Sequence, residues 1–293
     1  MRGHFAALDY TEVETPVLVA TPALEDYIDA VAACPGYLRT SPELHMKRLM
    51  AQGLERIYQL GSCFRAGEHG LRHRVEFTML EWYHAQLDYV QLRDHTTALL
   101  RAAAEAVWGQ AQGTLAGQPF DFGGEPEVIT VHEAYARFAG ESPEAADAAG
   151  RFDELMVSQI EPQLGRGRPT FLVDYPIAHG ALARAKADDP SLAERWELYL
   201  GGIEIANAYG ELIDPAEQRR RFLATADLRR RDGRPVYPLD DAFLAAMPAL
   251  PPMAGCALGL DRLLMALVGA DDIAAVRAFD DFPDGPSGRL QSQ

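Results

Sequence analysis

The stretch from residue 56 to residue 83, RIYQLGSCFRAGEHGLRHRVEFTMLEWY, restricts the possible folds of this chain more than any other. Its two flanks alternate as strands do. Tyr58, Leu60 and Phe64 share one parity, and Gln59, Gly61, Cys63 and Arg65 share the other. Beyond a polar, glycine-bearing loop, Phe77, Met79, Glu81 and Tyr83 line one face while Glu76, Thr78, Leu80 and Trp82 line the other. The expected unit is strand, long loop, strand. The first strand runs into Arg65, the loop carries Glu68, His69, Arg72, His73 and Arg74, and the returning strand carries Glu81 among aromatics. An arginine fork matches phosphate oxygens two at a time. Phe77 can stack on a base, and Glu81 can pair with an ammonium. A single motif of this kind is about as often an exposed hairpin with a solvated charged loop.

The rest of the composition narrows the class. At 293 residues the chain suits one large domain, or one domain with an insertion. Its 24% charged residues and the lack of any run of about 18 apolar residues argue for a soluble globule with no membrane span. The N-terminus, MRGHFAALDY, has no apolar core of a secretory signal. Cys34, Cys63 and Cys256 are widely spaced and odd in number, which points to a reducing cytoplasm and no cysteine metal site. A net charge of −16 argues against a protein whose main task is gripping nucleic acid. One basic island stands out. Arg39, Lys47, Arg48, Arg56, Arg65, Arg72 and Arg74 face only Glu43, Glu55 and Glu68 in the same interval, a balance that fits a small phosphorylated ligand.

Before the island, residues 5–20 read as the end of a helix, a turn and an extended segment, since Pro16 and Pro22 break helix. Ser41 and Pro42 open a helix as N-cap and first residue. Glu43 in its first turn can complement the helix dipole. After the hairpin, residues 89–108 form a packing helix, and the Gly- and Pro-rich residues 109–127 read as a loop or boundary. Thr130 and Glu133 form a capping box, and residues 128–168 read as a helical insertion. Residues 169–176, PTFLVDYP, are a buried strand candidate.

Residues 196–212, WELYLGGIEIANAYGEL, carry the second informative pattern. Gly201-Gly202 is a two-residue hairpin turn. Pairing Leu200 with Ile203 sets Tyr199 opposite Glu204 and Glu197 opposite Ala206, so that Glu197, Tyr199, Glu204 and Ala206 share a face. Two carboxylates then lie diagonally across the pair. Either both are solvated on an edge hairpin, or a hard divalent ion bridging phosphate oxygens sits between them. Asn207, Tyr209 and Glu211 follow. Asp214, Pro215 and Glu217 start a helix to about residue 231. Its arginines (Arg219 to Arg221, Arg229 to Arg231) read as a solvated face, with contact to an acidic partner as the minor alternative. Residues 255–262, GCALGLDR, read as a strand leading into a helix. Small residues at 255, 257 and 259 allow close backbone approach to a ligand, and Arg262 can meet a phosphate. The tail from Asp280 is expected to be disordered.

In order, F-R, then H, then E-F-T-M-L-E-W-Y closely resembles the second signature motif of class II aminoacyl-tRNA synthetases, in its lysine-specific version. TEVETPVLVATP resembles the first motif and GLDRLLM the third. The similarity runs from about residue 9 to residue 279 and covers a catalytic core without an anticodon-binding domain. It is greatest to the truncated lysyl-tRNA synthetase paralogues that modify translation elongation factor P by attaching (R)-β-lysine or lysine to a lysine side chain. The resemblance implies an α+β fold, a mainly antiparallel sheet flanked by helices, in a cytoplasmic homodimer using ATP and Mg2+. It implies that Arg65 and Arg262 are the catalytic residues and hold the ATP phosphates, that His73 lies by the nucleotide and that Phe77 stacks on adenine. By the same token Glu197 and Glu204 would bind the metal. Glu43 would take the backbone-side amine, and Glu81, Tyr83, Asn207, Tyr209 and Glu211 would surround the ε-ammonium. Three carboxylates for a substrate with two ammonium groups also make charge sense without the family.

Departures exist. Arg65-Ala66-Gly67 replaces Arg-x-Glu, so the adenine-contacting glutamate is shifted to Glu68 or lost. Arg74 stands where asparagine is usual. Ala257, by the substrate, replaces a glycine of the tRNA synthetases, as it does in the factor-modifying paralogues. The acidity and the missing anticodon domain weigh against tRNA as acceptor. A free-standing lysyl-tRNA synthetase-like enzyme and a non-catalytic amino-acid sensor are the alternatives.

Overall fold

In the computed structural model, which describes residues 1–281, eight strands join in one sheet. They are Thr11–Glu12 (β1), Arg56–Phe64 (β2), Glu76–Ala85 (β3), Glu127–Thr130 (β4), Thr170–Pro176 (β5), Leu192–Leu200 (β6), Ile203–Gly210 (β7) and Met253–Gly259 (β8). Their spatial order is β1-β2-β3-β8-β7-β6-β5-β4. The two outermost pairings are parallel and the five between them antiparallel. Four helices position the sheet and its side chains: Glu43–Ala51 (α1), Tyr89–Trp108 (α2), Pro215–Arg231 (α3) and Leu260–Val268 (α4). The fold is α+β, as expected.

The parity read in residues 56–83 decides which face is core. Tyr58 pairs with Trp82, Gln59 with Glu81 and Cys63 with Phe77. Leu80 and Trp82 of β3, Trp196 and Leu198 of β6, and Cys256 and Leu258 of β8 are buried against Leu92 and Leu99 of α2 and Leu263 of α4. Each such burial is worth about 1.5–3 kcal/mol. Two of the three indoles are also tied: Trp196 Nε1 donates to the Tyr89 carbonyl at 2.7 Å and Trp108 Nε1 to the Leu267 carbonyl at 2.8 Å. Helix α2 begins at Asp88, whose side chain accepts from the Gln91 N–H in a capping box. The opposite face of the sheet is polar and is walled by α1, α3 and Asp241–Ala246, which pack through Met46, Met50, Phe222 and Phe243.

Four expectations are corrected. The turn at Gly201 and Gly202 forms with φ of 61° and 79° and pairs Leu200 with Ile203 and Tyr199 with Glu204. The next step slips. Leu198 pairs with Ala206, and Glu197 faces Asn207 rather than Ala206, because Ile205 is an extra residue in a β-bulge. A one-residue slip exchanges faces. Ala206 therefore joins the apolar core, and Asn207 moves to the polar face beside Glu197 and Glu204.

The loop expected over 109–127 contains a two-stranded hairpin, Gln112–Leu115 with Gln118–Asp121. Gly117, at φ 74°, marks its turn, while Gly113 and Pro119 lie within the paired strands.

The solvated arginine face of α3 is only partly so. Arg229 has no exposed surface, and its guanidinium donates to the carbonyls of Glu25, Ile28 and Pro235 and to the Asp29 carboxylate, lying 5.1 Å from the Tyr237 ring centre. The inner face of α3 is Gln218, Phe222, Ala226 and Arg229, too polar to be recognised from an apolar stripe.

Asp280, where the tail was expected to begin, accepts from Arg74. The remainder of that tail, 282–293, lies outside the described residues.

The 128–168 region, expected to be a helical insertion, begins in strand β4 and continues as short helical pieces. Their core, including Tyr135, Phe152 and Ile160, is shared with Leu172 and Tyr175 of β5 and Tyr199 of β6. The capping box at Thr130 and Glu133 forms as expected, as does the Asp214 cap of α3.

Candidate active site

Because β3, β8, β7 and β6 are neighbours, residues of matching register form rows across the polar face. One row runs Gln59, Glu81, Ala257, Asn207, Glu197. A second runs Tyr83, Gly255, Tyr209, Arg195. Above these rows lies a cavity of 410 Å³, and all fourteen residues expected to serve the site line it. The sheet sets them at fixed spacing, α1 supplies Glu43, α4 supplies Arg262, and the 66–75 loop supplies Glu68 and His73.

The first cluster is built for cations. Glu81 is 1% exposed and accepts from Ser41 Oγ at 2.8 Å and Tyr83 Oη at 2.7 Å. Burial, with the charge of Glu43 nearby, pushes its carboxyl up to about 8. Glu211, also 1% exposed, is pushed up to about 7 by burial, against the pull of Lys47. Asn207 Nδ2 donates to Tyr209 Oη at 3.0 Å. The room beside Gly255 is already taken: a Cβ there would stand 2.3 Å from the Tyr83 ring and 2.5 Å from Glu211 Oε1. The glycine admits these two side chains rather than a ligand's backbone approach, which corrects the expectation at 255. Ala257 does face the cavity.

The second cluster gathers two arginines, an aromatic ring and carboxylates. Arg65 lies 5.1 Å from the Phe77 ring centre and 3.7 Å from Glu68, and its Nε is buried with no hydrogen-bond partner among the described residues. Gly67 has φ +77°, and the next residue, Glu68, lines the cavity. Arg262 donates to Glu204 Oε2 at 3.2 Å and to His73 Nε2. Burial and the Arg262 charge hold His73 below its ordinary value, so its ring is neutral near pH 7. Burial and the charge of Glu197 push Glu204 up. Glu197 accepts from Tyr175 and Tyr199 hydroxyls, each at 2.6 Å, and from Arg195 at 2.5 Å.

The donor chemistry fits a nucleotide, since Arg65 has an unsatisfied N–H beside an aromatic face. It fits Mg2+ only as a shared ligand set: among the described residues no three His, Cys, Asp or Glu converge on one point. Two carboxylates with phosphate oxygens and water complete a magnesium shell.

Several site residues went unread in the sequence. Lys47 is fully buried between Glu43 and Glu211; its i+4 spacing from Glu43 was the available signal. Arg195, two residues before Glu197, shares its face by parity. Ser41, read as a cap, accepts from the Glu43 N–H and also donates to Glu81. Glu25 reaches the cavity on a loop held by Arg229, and nothing local in the sequence marks it.

A mainly antiparallel sheet with paired arginines, an aromatic platform and acidic side chains on its polar face defines a class II synthetase core, and the chain belongs to that family. The family model of tRNA synthetases class II (D, K and N) matches residues 1–282. This is an enzyme of the ligase class. Its similar proteins include the elongation factor P–(R)-β-lysine ligase of Vibrio cholerae, 36% identical over 95% of this chain and 91% of that protein. The protein of the same name from Hamiltonella defensa is 39% identical over 83% of this chain and 77% of its own length. A lysine–tRNA ligase of Methylobacillus flagellatus is 34% identical over 95% of this chain but only 60% of that protein. Among the described residues no helix is long and apolar enough to cross a membrane.

Proposed function

We propose that this protein uses ATP to activate lysine or (R)-β-lysine as an aminoacyl-adenylate and transfers it to a lysine side chain of translation elongation factor P in the cytoplasm. The observation that carries this reading is one cavity with two adjoining clusters. Glu43, Glu81 and Glu211 suit a substrate with two ammonium groups, and Arg65 and Arg262 suit its activating phosphates. Two relatives bearing the ligase name align with most of their own length, which supports the same acceptor.

In this reading Glu81 and Glu211, with Tyr83, Asn207 and Tyr209, hold the distal ammonium, and Glu43 holds the amine nearer the carboxyl. Ala257 borders the substrate. Phe77 carries the adenine, with Glu68 and His73 beside the nucleotide. The substrate carboxylate is ionised near pH 7 and needs no general base. One of its oxygens attacks the α-phosphorus, an acyl–phosphate bond forms, and pyrophosphate leaves. Arg65 and Arg262 meet the charge that develops on the phosphate oxygens. Glu197 and Glu204 would hold Mg2+, which offsets phosphate charge when bound. The acceptor amine, once deprotonated, attacks the acyl carbon; an amide forms and AMP departs. Fixed positioning supplies much of the remaining acceleration. The active form is a homodimer in this reading, testable by sedimentation.

ATP–pyrophosphate exchange with lysine and with (R)-β-lysine tests the activation step. Exchange with neither, in folded protein, would leave a sensor. The kinship to a lysine–tRNA ligase favours tRNA as the competing acceptor, so labelled lysine should be offered elongation factor P and tRNA in parallel. Labelled tRNA with unlabelled factor would overturn the proposed acceptor.

A further inference from the structure

Lys47 does not line the cavity, yet it stands directly behind it. Its side chain has no exposed surface, and its Nζ lies 2.5 Å from Glu43 Oε1 and 2.5 Å from Glu211 Oε2. Its ammonium is also 5.9 Å from the Tyr83 ring centre. Two carboxylates reaching the same cavity from different elements, α1 and the segment after β7, are thus joined by one cation of the chain itself. A buried carboxylate pair without a counter-charge repels and takes up a proton. We propose that Lys47 is a positioning residue of the substrate pocket, a built-in counter-ion that sets Glu43 and Glu211 in place and eases the ionisation of Glu211, so that a diammonium substrate meets preorganised carboxylates. The inference rests on the proposed substrate class and adds the device that tunes the pocket.

The groups around Glu211 leave that task to Lys47. From α1 come Lys47 and Glu43, from β3 Tyr83, and from β8 the buried Cys256. Arg184 contributes from the segment whose backbone bridges to Glu211. Burial and Glu43 push Glu211 up; Lys47 is the leading influence in the other direction, with Arg184 the least. Lysine's own ammonium groups, by contrast, are present only when substrate is bound.

The test is the pH profile of KM for lysine in pyrophosphate exchange, in wild type, Lys47→Gln and Lys47→Arg. KM should fall as pH rises and the carboxylates ionise. In Lys47→Gln the midpoint of that fall should move up by at least about one pH unit, a tenfold change in proton affinity, with kcat changed far less. Lys47→Arg keeps the charge and should keep the midpoint. An unmoved midpoint in Lys47→Gln would overturn the proposal. A second measurement needs no substrate: in Lys47→Gln a proton replaces the lost ammonium, so thermal stability should fall more steeply than in wild type between about pH 6 and pH 9. Parallel slopes, or a variant that folds at no pH, would overturn it equally. Failure of wild-type exchange with lysine would refute the proposed substrate while leaving this second arm standing.

Discussion

Arg262 Nη1 lies 3.2 Å from Glu204 Oε2, so the guanidinium suited to phosphate and a carboxylate suited to the metal satisfy one another across the cavity. Their side chains are 20% and 36% exposed, and such a pair adds little to folding in solvent. Arg262→Ala should lower exchange by about 100-fold or more while shifting the thermal midpoint by no more than a few degrees. Exchange within a few-fold of wild type would remove Arg262 from the chemistry.

Glu197 and Glu204, paired by expectation as metal ligands, should separate on mutation. Glu197 is knitted to Tyr175, Tyr199 and the half-buried Arg195. Glu197→Gln leaves that guanidinium without its anion, at a cost of about 3 kcal/mol. Glu204→Gln should leave stability near wild type and raise the magnesium concentration needed for half-maximal exchange. Urea melts and a magnesium titration of both variants decide it; equal stability loss would contradict the difference in their surroundings.

Stability should depend on pH in an unusual direction. Burial raises Glu25, Glu161 and Glu211 to about 7 and Glu81 to about 8, from an ordinary 4.5. Across that window these carboxyls bind more protons in the folded chain than in the unfolded one. His4, His45, His73, His84 and His95 are held below their ordinary value and oppose this at lower pH. Above about pH 6.5 they are neutral in both states, so there the raised carboxyls decide and stability is lost as pH rises toward 8. Lysine favours the ionised carboxylates and should stabilise more at high pH. Thermal melts from about pH 6.5 to about pH 8, with and without lysine, check both statements; an apo midpoint that rises with pH over that range would refute the first.

Arg229 holds the loop that carries Glu25 to the cavity. Arg229→Met removes several buried donors at once and should cost about 2–4 kcal/mol. The same change should speed proteolysis within residues 25–29 and raise KM for the amino acid more than it lowers kcat. A loop as protease-resistant as wild type would show that other contacts hold it.

Local chemistry made much of this protein legible. Alternation in residues 56–83 assigned Glu81 and Phe77 to the same face as Tyr83, and the double glycine marked the β6–β7 turn, because side-chain parity and φ > 0 are properties of a few adjacent residues. A one-residue bulge broke the same reasoning four residues later: nothing in the string IEIANAY tells which residue is extra, and only the pairing of β7 with both β6 and β8 decides that Asn207 faces Glu197. Likewise six arginines on α3 look alike in sequence. The backbone carbonyls that receive Arg229 lie about two hundred residues away in the chain, at Glu25 and Ile28. The sequence by itself determined the strands, the turns and the kinds of charge the site would carry. The tertiary structure alone decided which charges meet, for instance Lys47 with Glu211, because burial and pairing energies depend on distances that no local pattern encodes.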